Sequence, residues 1–362
     1  MKRRHIPLFM FFLCIFAPSS LNARKITPAL PTLNIAPDAR SSGMGEVGAA
    51  TSPDIFSQRW NAAKYAFMQD NGGVGISYVP WLRDIAKDVH LGYLSGYYSL
   101  LQNQALGASL YFFSLGNISL YNENADYLAS VKPTEFAFDV SYSRTFGPNL
   151  SGALTARYIN STMIEGSDIP YTKHKHNFAV DVAAYWQKPV RLWSKDSEVA
   201  VGVTFSNIGT KLKSDGGEEY FLPMSMRVGG RLTMSFDETN SLSLSLDINK
   251  LLVPEDYKYN DDAVPTALFR SFGNGLSSSI TGNTGLEYAY NKLFFARTGF
   301  YSEASRLGGR NYLTFGAGLN YSPVTFDISY LTVVKGQDGV LSNAFKFSLV
   351  VAFKERSKYR AK

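Results

Sequence analysis

The feature that most constrains this chain is a period of two in its hydrophobicity, running from about residue 72 towards the C-terminus. "NSLSLSLDINK" sets Leu242, Leu244, Leu246 and Ile248 on one face and Ser243, Ser245, Asp247 and Asn249 on the other. "TEFAFDVSYS" sets Phe136, Phe138, Val140 and Tyr142 against Ala137, Asp139, Ser141 and Ser143, and "SEVAVGVTFS" and "FKFSLVVAF" repeat the pattern. Successive side chains of a strand point to opposite sides, so such alternation predicts strands. About fourteen segments show it, at 72–80, 89–100, 104–114, 134–145, 150–160, 176–187, 197–207, 223–234, 240–250, 281–290, 293–301, 311–321, 323–331 and 343–353. Most are close to the roughly 9–11 residues that a tilted strand needs to cross a bilayer.

Charges sort by phase within these segments. Asp139, Asp181, Asp247, Glu287 and Asp327 fall on the polar face, with Arg157, Arg227, Arg231, Arg297 and Lys346. A basic residue facing lipid at mid-depth costs about 2–4 kcal/mol, so this sorting is expected where the apolar face meets lipid. A soluble sandwich would instead turn its apolar face inward and carry Lys, Glu and Thr outside. The predicted fold is therefore all-β: a transmembrane antiparallel β-barrel of about fourteen strands. Connections are short after the second, fourth, eighth, tenth and twelfth segments ("GPN", "YNK", "SP") and long after the third, fifth, seventh, ninth and thirteenth. Short turns belong on the periplasmic side, and both barrel ends then lie there. "KPVRLWSKD", after the sixth segment, is too long for this alternation, and "WLRDIAKD", after the first, is only moderate. Balanced lumenal charge argues against an ion-selective porin, which needs a one-signed ring. It favours salt-bridged walls or a filled lumen. Residues 24–71 lack the alternation and are the predicted plug, ahead of a barrel over 72–353.

The N-terminus sets the compartment. Lys2, Arg3 and Arg4 precede an apolar run at 6–16 and the stretch "APSSLNA", the order of a secretory signal peptide, here assigned to 1–23. The run is too short to span a bilayer as a helix. The single cysteine, Cys14, lies inside it, and Leu13 stands where a lipoprotein signal needs a small residue. The mature chain is thus expected to have no disulfide and no thiolate chemistry. The net charge of +6 comes from this segment and from the tail "KERSKYRAK" (354–362), expected to be periplasmic. The remaining body is close to neutral, so no nucleic-acid partner is expected.

Candidate chemical motifs fail their context. In "SSGMGEVGAATSPD", Gly43, Gly45 and Gly48 have the G-x-G-x-x-G spacing of a dinucleotide turn, but Pro37, Asp38 and Arg40 occupy the place of the required strand. The expectation is a tight turn with close backbone approach, which glycine permits. His174 and His176 have no Cys or carboxylate cluster to complete a metal site and are assigned to a solvated loop–strand junction. Asp261 and Asp262 lack the spacing of a calcium loop. His90 has no serine motif nearby, so no nucleophile–base pair is recognised. No enzyme activity, cofactor or metal is expected.

The segment "APDARSSGMGEVGAATSPDIFSQRWNAAKYAF", through Asp38, Arg40, Gly43, Met44, Gly45, Gly48, Asp54, Trp60, Asn61 and Lys64, resembles the plug motif of FadL/TodX-like barrels. Together with "GISYVPWLRDIAKDVHLGYLSGYY" (75–98) it resembles the PorV family of the type IX secretion system of Bacteroidota. Ala62 in "WNAAK" departs from the proline common there. "FKFSLVVAF" resembles the assembly signal of outer-membrane barrels, although nine residues follow Phe353. The resemblance implies a FadL-like barrel in the bacterial outer membrane. It also implies that the protein receives C-terminal signal domains of secreted cargo from the translocon barrel (Sov/SprA) and carries them to the PorU sortase and attachment complex, amid outer-membrane lipid and lipopolysaccharide. On that reading Trp81, Leu82, Arg83, Tyr121, Tyr127, Tyr257 and Tyr259 are the candidate cargo and partner residues of the loops, since exposed aromatics favour partner contact. The alternative is a FadL-type passive transporter of small hydrophobic molecules.

Overall fold

The structure, a computed structural model, describes residues 28–81, 88–122, 124–164, 172–214, 216–254, 259–273, 279–335 and 344–353. The assigned signal peptide, Leu82, Arg83, Tyr257 and the basic tail lie outside the described residues. The strands are β1 (Gly72–Pro80), β2 (His90–Leu101), β3 (Gln104–Ser114), β4 (Ile118–Tyr121), β5 (Tyr127–Val131), β6 (Thr134–Thr145), β7 (Leu150–Ile164), β8 (Thr172–Leu192), β9 (Lys195–Gly209), β10 (Leu212–Lys213), β11 (Glu219–Tyr220), β12 (Ser225–Ser235), β13 (Asn240–Leu251), β14 (Ile280–Tyr290), β15 (Phe294–Glu303), β16 (Asn311–Tyr321), β17 (Val324–Lys335) and β18 (Ala344–Ala352). Fourteen of them close into an antiparallel barrel in which β1 pairs with both β2 and β18. The other four form two small hairpins, β4–β5 and β10–β11, within long connections. Short helices α1 (Ala39–Ser42) and α2 (Ser57–Trp60) precede the barrel, and α3 (Val264–Gly273) lies in the longest connection.

Every alternating segment is a barrel strand. β8, at 21 residues, is much longer than the sequence indicates, and β7 and β9, at 15 residues each, extend less far beyond it. The connection "KPVRLWSKD" is not a loop: β8 and β9 continue pairing to Leu192↔Lys195. Only Trp193 and Ser194 turn the chain, with φ of 48° and 62°, the signs of a type I′ hairpin. Lys188, Pro189, Arg191 and Lys195 broke the apolar alternation, yet strand pairing beyond lipid does not require it. The apparent exception to short periplasmic turns therefore disappears. His174 and His176 likewise lie within β8 rather than at a loop junction, exposed on the outer phase, with His176 Nδ1 2.7 Å from the Tyr158 hydroxyl.

The two faces are inverted relative to a soluble protein. Ile76, Tyr78, Leu94, Phe138, Val140, Leu246, Ile248, Phe315 and Leu349 are exposed, while Ser77, Ser95, Ser141, Asp139, Asp181, Asp247, Glu287, Asp327, Arg157, Arg231, Arg297 and Lys346 are buried. Arg227, the tenth phase-sorted charge, is partly buried and also faces the lumen. Among the described residues no helix is long and apolar enough to cross a membrane; the strands do so.

Residues 28–71 pass down the inside. At the long-loop end, Leu30 and Leu33 pack with Val79, Leu91, Phe113 and Ile159, and the Ala29 amide donates to the Phe221 carbonyl. At the short-turn end, a 3-10 turn at Ala62–Phe67 packs on Ala105, Ala153 and Tyr185. The chain then enters β1 from that end. Leu246→Arg, placing a charge on the lipid face, is expected to lower stability by about 2–4 kcal/mol. Urea unfolding in lipid vesicles measures it.

Candidate functional site

The inner segment is seated by ion pairs to the wall. Arg40 of α1 forks onto Glu287 of β14, with Nη2 2.9 Å from Oε1 and Nε 3.1 Å from Oε2, and its Nη1 reaches Asp54 at 2.7 Å. Glu287 also accepts from Arg297 Nε at 2.7 Å, and Arg297 continues to Asp327 at 2.5 Å. The row Asp54–Arg40–Glu287–Arg297–Asp327 thus joins the segment to three strands. Asp247 of β13 accepts from the Gly48 and Ala49 amides at 2.7 and 3.0 Å and pairs with Arg227 at 3.3 Å. Lys346 of β18 donates to the Ala36 carbonyl and the Ser42 hydroxyl, each at 2.8 Å. Across the lumen Arg157 pairs with Asp139 at 2.7 Å and Asp181 at 3.0 Å. Asp181 also accepts from the Asn207 amide at 2.7 Å, at the point where β8 and β9 shift register. Removing one member of such a buried pair leaves an uncompensated charge.

Polar residues of the segment brace it internally. Asp38 caps α1 through the Ser41 amide at 2.8 Å and accepts from Trp60 Nε1 at 2.6 Å. Asn61 caps the 3-10 turn through the Ala63 amide and donates to the Ala49 and Ala184 carbonyls, both at 2.9 Å. Lys64, wholly buried, donates to the Gly48 carbonyl and Thr51 hydroxyl at 2.9 Å.

The glycines answer a steric demand. A Cβ on Gly43 would lie 2.9 Å from the Gly316 Cα, and one on Gly299 would lie 2.2 Å from the Gly45 nitrogen. Gly45 has φ of +67°, and its Cβ would sit 2.6 Å from the Thr284 and Phe300 carbonyl oxygens. A Cβ on Gly48 would enter the Trp60 ring at 2.4 Å. Gly-x-Gly here lets backbone lie against backbone, with Met44 buried beside Gly285.

The long-loop rim carries the remaining predicted residues. Trp81 is partly buried and packs on the cluster of Leu30 and Leu33, closing the mouth rather than projecting from it. Tyr121 and Tyr127 project from the β4–β5 hairpin, 59% and 60% exposed, with ring centroids 6.0 Å apart edge to face. The Asn117 amide donates to Asp88 at 2.7 Å, tying the base of that hairpin to the β1–β2 connection. This bond holds the Asp88 carboxyl below its usual pKa. Tyr259 lies under the Arg270 guanidinium at 3.9 Å, and Arg270 pairs with Asp262 at 2.7 Å. Sequence inspection missed α3 and its Phe269, 80% exposed. The available signal was "VPTALFRSFG", with proline near a helix start. Among the described residues no three His, Cys, Asp or Glu side chains are grouped to hold a metal ion.

Solved structures with this architecture include the TodX deltaS2S3 mutant, a monoaromatic hydrocarbon channel (TM-score 0.55, 11% identity, 88% of this chain and 99% of that one). The Pseudomonas putida toluene transporter TodX (0.54, 11%, 89% and 99%) and the CymD monoaromatic hydrocarbon channel (0.52, 11%, 89% and 98%) are also similar. At such identity the likeness shows the FadL/TodX-like fold alone. No curated protein matches the chain. The family described as type IX secretion system protein PorV matches residues 18–258. The chain belongs to the PorV family. It is accordingly an outer-membrane component of the type IX secretion system, and the inner segment and rim are those of a PorV-family barrel.

Three outcomes follow for this PorV-family barrel. Gly45→Ala is expected to cost at least about 2 kcal/mol through its φ and its carbonyl clashes, whereas Gly92→Ala, whose Cβ meets nothing within 4 Å, is near neutral; denaturant unfolding compares them. Arg157→Met leaves Asp139 and Asp181 together without a cation and is expected to cost about 3–5 kcal/mol by the same assay. Because the Asp88 pKa is depressed on folding, its contribution is present above the unfolded carboxylate pKa and is lost as pH falls through the lower folded value. Hydrogen exchange across residues 115–133 should therefore accelerate on acidification, and Asp88→Ala should remove that pH dependence.

Proposed function

We propose that this protein receives the C-terminal signal domains of cargo on its long-loop rim, as they leave the translocon barrel (Sov/SprA). It then hands them to the PorU sortase and attachment complex. It binds and transfers without catalysing a covalent step, and residues 28–71 act as a fixed plug. The observation that carries this reading is the segment's seat: Glu287 of β14 holds it by an ion pair to Arg40, and Asp247 of β13 and Lys346 of β18 hold it by charge-assisted hydrogen bonds to the Gly48 amide and the Ala36 carbonyl. A barrel filled in this way has no passage for a protein chain, so the work falls to its outer surfaces. The Tyr121/Tyr127 pair supports the rim as a contact surface, since exposed aromatics on a braced hairpin lose little freedom on binding.

The second reading, a passive transporter of small hydrophobic molecules, is favoured by the architecture shared with TodX and CymD. Deleting the gene separates the two. Retention of cargo with its signal uncleaved supports transfer, and loss confined to hydrophobic-solute uptake supports transport. Within the first reading, Tyr121→Ser with Tyr127→Ser is expected to lower cargo recovered with the solubilised barrel by roughly tenfold. Undiminished recovery with a heat-modifiable, folded barrel removes the hairpin from the contact surface.

A further inference from the structure

Two histidines meet on the outside of the wall. His174 and His176 are two residues apart on β8, so both project from one face of the strand, the face that also turns Phe178, Val180 and Val182 outward. Both are exposed. The register sets Asn160 of β7 opposite His176 and Thr162 opposite His174. Asn160 reaches both rings: its Oδ1 lies 3.3 Å from His174 Nδ1 and its Nδ2 lies 3.1 Å from His176 Nδ1. One amide group thus holds two imidazoles side by side.

Tyr158 and Phe178, with ring centroids 5.4 Å apart, sit immediately on the lipid side of the pair. Such aromatics mark the edge of the lipid band of a barrel, so the histidines lie just outside that band, towards the long loops. Polar side chains are usual at that level; what is particular is how these rings are held. His174 Nδ1 faces two oxygens, Asn160 Oδ1 and, at 3.5 Å, Thr162 Oγ1. His176 Nδ1 lies 2.7 Å from the Tyr158 hydroxyl, and the two rings stack at 20°. His176 Nδ1 either accepts from Asn160 Nδ2 or donates to Tyr158. When Tyr158 accepts, both imidazoles carry their proton on Nδ1, and both Nε2 lone pairs are free. Neither Nε2 has a hydrogen-bond partner among the described residues. An oxygen partner on one ring nitrogen, orienting the ring and raising the basicity of the other nitrogen, is the usual support of a histidine that ligates a metal.

We propose that His174 and His176 bind one zinc ion through their Nε2 atoms on the outer surface of the barrel, with Tyr158 and Asn160 as positioning residues. Two residues along a strand are about 6.6 Å apart, close enough for both rings to converge on an ion at about 2.0–2.1 Å from each nitrogen. A closed structural site needs further protein ligands, and none is grouped with this pair. An open surface site does not: water, or oxygen donors of a neighbouring molecule, take the remaining tetrahedral positions.

The test titrates Zn2+ calorimetrically into the untagged full chain, purified in detergent and stripped with chelator. One saturable site is expected in the wild-type chain. His174→Asn and His176→Asn should each raise its dissociation constant roughly tenfold or more, and Tyr158→Phe, which removes only the oxygen on His176 Nδ1, by roughly tenfold. His90→Asn, elsewhere on the wall, should leave it unchanged. Heat-modifiable migration checks that each variant is folded. Crystals soaked in zinc chloride should show one anomalous peak shared by the two Nε2 atoms. Absence of saturable binding, a peak on one ring only, or undiminished binding by the His174→Asn/His176→Asn double variant each overturn the site. Unchanged affinity in Tyr158→Phe overturns the role given to Tyr158.

Discussion

The structure depends on one electrostatic condition: a charge inside this barrel must find its partner in protein. Lipid surrounds the wall and backbone fills the middle, so little water remains to solvate an ion. Arg40 meets that condition by bridging Asp54 within the segment to Glu287 on the wall. Glu287 is in turn shared with Arg297 and Asp327. Such pairs add little net stability relative to apolar contacts. Their effect is positional, because a segment displaced by one residue would strand several charges at once.

The steric counterpart is the glycine contact. Gly43 and Gly45 meet Gly316 and Gly299 with no side chain between them, which brings the segment's amides close enough for Asp247 and Thr314 to accept from them. Charge selects the register and glycine permits the distance. A lumen filled in this manner moves function outward, to a rim where Trp81 closes the mouth and Tyr121, Tyr127 and Phe269 face solvent. That division fits the function proposed above, in which cargo passes beside the barrel rather than through it.

How much of this was legible in the sequence follows from the range of each interaction. Strands were legible because lipid imposes the period of two locally, and the ten phase-sorted charges showed which face turned inward. The outer parts of β8, the β4–β5 and β10–β11 hairpins and α3 lie beyond lipid, where no such pattern is imposed. Gly43 and Gly45 signalled close approach, but their wall partners sit at Gly316 and Gly299, with no local mark linking them. The Arg40–Glu287 pair spans 247 residues of sequence, and nothing short of the barrel's closure brings it together.

The central claim is that residues 28–71 keep their seat while the protein works. The sole cysteine, Cys14, can be replaced by serine, leaving a background in which one introduced thiol reports accessibility. Ala63→Cys sits at a fully buried position of the 3-10 turn and Tyr127→Cys on the exposed hairpin. Maleimide labelling in cells actively exporting cargo compares their rates. The account predicts that Ala63→Cys labels at least roughly a hundredfold more slowly than Tyr127→Cys. Comparable rates would contradict it, showing that the segment leaves the lumen during secretion.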